Sequence, residues 1–166
     1  MNVKVKNLSD GICSVIINEP NTYNSLSFKN LNDLIKVFQN LDKDEKTKVI
    51  ILEGAGKGFS AGHNLNEVKN LKKKNKYQKL FNLCSKLMLQ IVEGKKPVIA
   101  KVHGAAYAAG CQLMASCDLA YSTKDALFAT PGVNIGLFCS TPMVAVSRKI
   151  NRKPMMKMFL PGDPIK

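Results

Sequence analysis

Lys96-Pro-Val-Ile-Ala-Lys-Val-His-Gly-Ala-Ala-Tyr-Ala-Ala-Gly-Cys-Gln-Leu-Met-Ala-Ser-Cys-Asp-Leu-Ala-Tyr121 is the stretch whose reading decides the fold. Pro97 opens an apolar, β-branched run from Val98 to Val102, and Gly104 punctuates it, which is the pattern of a buried strand ended by a turn. Ala105 to Gly110 reads as a loop of small residues, apart from Tyr107. Leu113 and Met114 then supply the apolar face of a short helix, and a second strand begins near Asp118. Strand, loop, helix and strand in one short stretch place the chain in the α/β class. Small residues let a ligand approach the backbone closely. A loop of them feeding a helix N-terminus also turns free N–H groups toward negative charge. Close packing between two elements explains the same residues equally well.

Two further segments stand in order around it: Gly54-Ala-Gly-Lys-Gly-Phe-Ser-Ala-Gly-His-Asn-Leu65 before, and Phe128-Ala-Thr-Pro-Gly-Val-Asn-Ile-Gly136 after. Together the three resemble the enoyl-CoA hydratase/isomerase (crotonase) superfamily. They match its Phe-(Ser/Ala)-Ala-Gly-x-Asp-(Leu/Ile), its Gly-Gly-Cys-Glu-Leu followed by Cys-Asp, and its Phe-x-x-Pro-Glu-(Val/Ile)-x-(Leu/Ile)-Gly. The wording Ala-Ala-Gly-Cys-Gln-Leu and Ile-Gly-Leu-Phe-Cys-Ser-Thr-Pro is similar to the branch called enoyl-CoA hydratase domain-containing protein 3. The resemblance implies a spiral of repeated ββα units. Family members continue through C-terminal helices that cover the site and build a trimer. Residues 1–166 are therefore expected to be a single core domain cut before those helices, and the whole protein a homotrimer or hexamer.

The resemblance also implies a site. The backbone N–H groups of His63 and Ala109 would form an oxyanion hole for a thioester carbonyl, with Ser60, Ala61, Gly62, Asn64, Leu65 and Gly110 shaping the CoA-binding surface. Asn64 stands where the family has Asp, and it caps a helix about as well. Family hydratases hold a water between two glutamates, and those positions are Gln112 and Gly132 here. An amide exchanges no proton near neutral pH, and glycine has no side chain. Each acid/base partner contributes roughly 10²- to 10⁴-fold, so efficient hydration of an enoyl-CoA is not expected. Polarising a thioester for isomerisation, hydrolysis or decarboxylation remains open. Gln112 is then a candidate water positioner, and Cys139, Ser140 and Thr141 lie where the family's active-site loop would be. The imidazole of His63 is a minor candidate for proton transfer, Cys139 is one for nucleophile, and His103 reads as structural. A non-catalytic acyl-CoA binder is the alternative. The CoA thioester is the substrate; no resident cofactor and no metal is implied.

Composition sets the outer bounds. At 166 residues and 45% hydrophobic, the chain can build one core. Its five cysteines show no paired spacing, and two histidines cannot complete a zinc site. Free thiols in a reducing compartment follow. No apolar run has the length of a membrane span, and the chain enters a strand at once, with no targeting segment visible. Mitochondrial or cytoplasmic placement fits. The net charge of +13 comes from lysines spread along the chain. One cluster stands out: Lys69, Lys72, Lys73, Lys74, Lys76 and Lys79, opening a helix whose other face carries Tyr77, Leu80, Phe81, Cys84, Leu87, Met88 and Ile91. A solvated face, a patch for the CoA phosphates and RNA binding are the readings. The last lacks interleaved aromatics for base stacking.

Elsewhere, Val3–Val5 and 11–17 read as a hairpin, and 18–24 as a loop. Ser27 reads as the N-cap of a helix presenting Leu31, Leu34, Ile35, Phe38 and Leu41. Residues 48–53 read as a buried strand. Gly54 to Gly58 lacks the Gly-Lys-Ser/Thr of a nucleotide loop. Residues 143–150 read as an apolar helix closed by Arg148, Lys149, Arg152 and Lys153.

Overall fold

Alternating apolar residues at the start make the expected hairpin in a computed structural model that describes residues 2–166. Strand β1 (Val3–Asn7) pairs antiparallel with β2 (Ile12–Ile17), Val3 opposite Ile17. A short 3-10 turn at Pro20–Thr22 leads to α1 (Phe28–Lys43), where the Ser27 hydroxyl accepts from the Asn30 N–H at 3.2 Å. That bond fills one donor left over by the first turn, and the five apolar residues of the expected face are all buried.

The chain then winds. Strand β3 (Val49–Gly54) lies parallel to β2, and two helices follow, α2 (Leu65–Lys69) and α3 (Lys74–Val92). Strand β4 (Val98–Val102) lies parallel to β3 and is followed by β5 (Ala105–Tyr107) and α4 (Ala109–Ser116). Strand β6 (Leu119–Ser122) lies parallel to β4, then β7 (Leu127–Ala129) parallel to β5. A second 3-10 turn at Pro131–Ile135, α5 (Ser140–Val146) and α6 (Arg152–Phe159) end the sequence of elements. The large sheet therefore runs β1-β2-β3-β4-β6 and the small one β5-β7. Ser60 extends the small sheet by a parallel bridge to Ala106. Three successive passes thus leave the large sheet, add a rung to the small one and continue into a helix. This is the crotonase-like spiral of ββα units.

Each corner needs a tight crossing. Gly104 joins β4 to β5 at φ +53°, and a Cβ there would lie 2.1 Å from the Lys57 carbonyl oxygen, so only glycine fits. The main core lies under the large sheet against α1 and α3. A smaller one gathers Cys111, Ala115, Cys139, Val146, Met155, Met158 and Phe159 between α4, α5 and α6.

Three expectations need correction. Residues 105–110 are not a loop, because Ala105 to Tyr107 pair with β7 and α4 starts at Ala109. The alanines are small because strands and helix meet there, with Ala106 fully buried. The lysine cluster does not open one helix. Lys69 ends α2 and Lys72 and Lys73 lie between helices, because buried Leu71 pulls the chain inward and breaks the run. The last helix is two. α5 ends at Val146, so Arg152 and Lys153 sit at the N-terminus of α6, the unfavourable end of its dipole.

All five cysteines are free and buried. Burial pushes the thiols of Cys84, Cys111 and Cys117 up to about 12, leaving almost no thiolate near neutral pH. In the native protein these three are expected to resist Ellman's reagent at pH 8 and to react fully after denaturation, counted by absorbance.

Candidate active site

Buried Asn24 is the staple that shapes the loop after β3. Its side-chain amide donates to the carbonyls of Ala55 (2.7 Å) and Gly58 (2.8 Å), while its Oδ1 accepts from the Glu19 N–H at 2.9 Å. Backbone bonds continue the seam: the Ala61 N–H donates to Tyr23 O at 2.9 Å, and the Leu26 N–H to Gly62 O at 2.7 Å. The loop therefore reaches His63 in one fixed path.

His63 is held at its ring as well. Its Nδ1 lies 3.2 Å from the Leu26 carbonyl oxygen, and its ring meets Phe81 edge to face, centroids 5.4 Å apart at 83°. A carbonyl only accepts, so the proton is assigned to Nδ1 and the lone pair to Nε2. Burial pushes the imidazole's pKa below its ordinary value, against the smaller opposing effect of the Leu26 bond. Burial therefore favours the neutral ring.

From the other side comes the start of α4. Ala108 holds φ +49°, ψ −119°, a conformation that an L side chain enters only under strain. Its N–H donates to Ala129 O at 2.8 Å, and its own carbonyl accepts the Gln112 N–H, so both neighbours pin it. Replacing Ala108 by glycine is expected to stabilise the fold by about 1 kcal/mol, read as a higher urea midpoint.

The strained residue starts α4 with the Ala109 nitrogen close against the His63 loop. Gly62, at φ +86°, faces it so closely that a Cβ would lie 2.9 Å from the Ala109 nitrogen. Among the described residues, neither the His63 nor the Ala109 N–H donates to a protein acceptor. Both residues line one cavity of about 570 Å³, with Ala61, Leu65 and Phe81 on one wall. Gly132 and the segment from Leu137 to Pro142 also line it. That volume is in the range of ligand sites, roughly 300–1,000 Å³. Its lining is mostly apolar, and among the described residues His63 and Cys139 are its only ionisable side chains.

Of the residues singled out in sequence, His63, Ala109, Gly132, Cys139, Ala61 and Leu65 meet on this cavity, with Ser140 and Thr141. The others do not. Ser60 is fully buried, its hydroxyl donating to Asn24 O at 2.9 Å. Gly110 is the contact that lets α4 pass Ser60, since a Cβ would lie 2.2 Å from the Ser60 carbonyl oxygen. Gly62 sets the spacing, and Asn64 caps α2 by accepting from the Glu67 N–H at 3.1 Å. Cys139 has its thiol pKa raised by burial, opposed by a hydrogen bond with the Gly132 backbone, which works against a thiolate nucleophile. At Gly132 itself a Cβ would lie 2.3 Å from the Leu137 carbonyl oxygen, so a glutamate has no room without moving the 137–139 segment.

Gln112 is the larger departure. It lines a second cavity of about 480 Å³, among Ser85, Met88, Ser116, Val144 and Arg148, and it is absent from the wall that carries His63 and Ala109. It is 6% exposed and its Oε1 has no hydrogen-bond partner. A buried polar atom without a partner costs roughly 1–3 kcal/mol. Gln112→Leu is therefore expected to be neutral or stabilising by about 1 kcal/mol in denaturant unfolding.

Sequence reasoning missed the Leu26 carbonyl, Phe81 and the strain at Ala108. The first and last are backbone features, and Phe81 reads in sequence as part of the apolar face of a helix.

The comparisons agree with this architecture. The family profile described as "Enoyl-CoA hydratase/isomerase" matches residues 7–166. The mitochondrial enoyl-CoA hydratase domain-containing protein 3 of Xenopus laevis is 45% identical over 155 residues, 93% of this chain and 53% of that protein. The human protein of the same name is 43% identical over 157 residues, 94% of this chain and 52% of its own length. Among solved structures, human enoyl coenzyme A hydratase domain-containing protein 3 superposes with a TM-score of 0.95 at 41% identity, covering 99% of this chain and 65% of that one. An enoyl-CoA hydratase from Mycobacterium smegmatis gives 0.96 at 42% identity, covering 99% and 64%. The chain spans about half the length of the curated relatives it matches. With this profile match and these motifs, the chain belongs to the enoyl-CoA hydratase/isomerase (crotonase) superfamily and resembles its domain-containing protein 3 branch.

Proposed function

We propose that this protein binds acyl-CoA thioesters and polarises the thioester carbonyl between the N–H groups of His63 and Ala109. The observation that carries the reading is the pair of unpartnered N–H groups on one apolar cavity, spaced by Gly62. Donors aimed at a developing oxyanion in a water-poor site are each worth roughly 10²- to 10³-fold in rate. Ala61 and Leu65 would border the thioester, and Lys69, Lys72, Lys73 and Lys74 would meet the CoA phosphates as a diffuse field. Among the described residues no carboxylate lines the cavity, so efficient hydration by a glutamate pair is not part of the proposal. Isomerisation, hydrolysis or decarboxylation of a CoA thioester is.

The same lack of a lining carboxylate supports a second reading, a non-catalytic acyl-CoA binder in fatty-acid metabolism. Mitochondrial placement and assembly into a homotrimer or hexamer belong to the proposal too. The relatives' names support the first. The second is supported by exposed apolar side chains on β6, Leu119 at 54% and Tyr121 at 66%.

Mass spectrometry of a panel of acyl- and enoyl-CoA thioesters after incubation, with calorimetry alongside, tests both. A product names the reaction class; binding with an unchanged panel selects the binder; no binding overturns the proposal.

A further inference from the structure

We propose that the His63 side chain is the proton carrier of this site, its Nε2 taking a proton from the carbon next to the bound thioester carbonyl. This rests on the carbonyl lying against the His63 and Ala109 N–H groups. The residue would then act twice, through its backbone on the oxygen and through its ring on the carbon.

The geometry separates the two roles. Nδ1–H is committed to the Leu26 carbonyl at 3.2 Å, and Phe81 holds the ring from its edge, so the imidazole has one orientation and one free nitrogen. Among the described residues lining the cavity, Cys139 is the one other ionisable side chain, so the ring has no competing base there. Burial keeps the ring neutral, the form in which Nε2 can accept. Around it, Glu67 of α2 is engaged, its carboxylate accepting from the Phe28 N–H at 2.9 Å. Tyr77 lies one turn before Phe81 on α3, and no charged neighbour contributes to the imidazole's shift.

The step balances without a further reactant. The C–H bond breaks, its proton bonds to Nε2, and its electron pair forms the enolate whose oxygen the two N–H groups hold. The imidazolium returns the proton to the same carbon, or to the γ-carbon when a β,γ double bond is present, which moves that bond into conjugation. Allylic thioesters, whose α-proton is flanked by a thioester and an alkene, are the substrate class that asks least of a lone imidazole.

The test uses 3-hexenoyl-CoA in D₂O, with deuterium uptake and double-bond position read by mass spectrometry and binding by calorimetry. The wild-type protein should incorporate deuterium at a rate that climbs with pH to a plateau, with its midpoint below about 6.5, the ordinary histidine value. His63→Asn keeps the backbone N–H and a donor for Leu26, so it should still bind. Its exchange should fall by roughly 10²-fold or more and lose the pH dependence. Free imidazole added to His63→Ala should restore part of the rate. Exchange in His63→Asn equal to wild type, or wild-type binding without any exchange, overturns the role of the ring and leaves the binding site standing. Failure of the wild-type protein to bind any thioester overturns both.

Discussion

Gly62→Ala is expected to weaken thioester chemistry severely while leaving a folded protein. The added methyl would lie 2.9 Å from the Ala109 nitrogen, 2.9 Å from the Tyr107 carbonyl oxygen and 3.1 Å from the Ala108 Cβ. Two of these neighbours are backbone, so neither can rotate away. The backbone at φ +86° adds strain of about 1–2 kcal/mol for an L side chain. The loop and the α4 start must part, or the methyl must cover the Ala109 N–H; either way one donor is lost. The expected cost is roughly 10²- to 10³-fold in turnover, or a comparable loss of affinity if the protein only binds. Circular dichroism should remain that of the wild-type fold. Unchanged turnover and affinity would remove Gly62 as the spacer.

The largest effect on stability is expected at Asn24. Truncation to alanine deletes three hydrogen bonds of 2.7, 2.8 and 2.9 Å and strands two carbonyls and an N–H in a partly buried loop. At about 1 kcal/mol or more for each stranded group, the sum is on the order of 3 kcal/mol. The left-handed backbone at φ +53°, which asparagine tolerates better than alanine, adds to it. Asn24→Gly separates the causes, because it relieves the backbone and not the bonds. Urea unfolding should place Asn24→Gly between the wild type and Asn24→Ala. Equal midpoints for wild type and Asn24→Ala would show the staple to be idle.

These two residues mark where sequence reasoning reached and where it stopped. Hydrophobic periodicity located β1, β2, α1, β3 and the buried face of α3, because burial of one face leaves a pattern in the residues that share it. Gly62 is legible in sequence only as a small residue on the CoA-binding surface, because small residues let a ligand meet the backbone; its approach to the Ala109 nitrogen is a tertiary contact. Asn24 was legible only as part of a polar loop. Its partners Ala55, Gly58 and Glu19 are carbonyls and an N–H, which every residue possesses and no composition betrays. The same blindness hid the strand Ala105 to Tyr107, whose pairing depends on β7, and the second helix, α6. The resemblance puts Gln112 in the thioester site, whereas its side chain on α4 lines the neighbouring cavity with an unpaired oxygen. Helix phase relative to a cavity is a tertiary fact.

The proposed chemistry requires a thioester carbonyl lying between His63 N–H and Ala109 N–H. Infrared difference spectroscopy of an acyl-CoA carrying ¹³C at that carbonyl measures its polarisation directly. Two donors should lower the labelled stretch on binding to the wild-type protein, and the lowering should shrink in Gly62→Ala under saturating ligand. A labelled carbonyl that absorbs in the complex where it absorbs in water would place the thioester elsewhere and contradict the account.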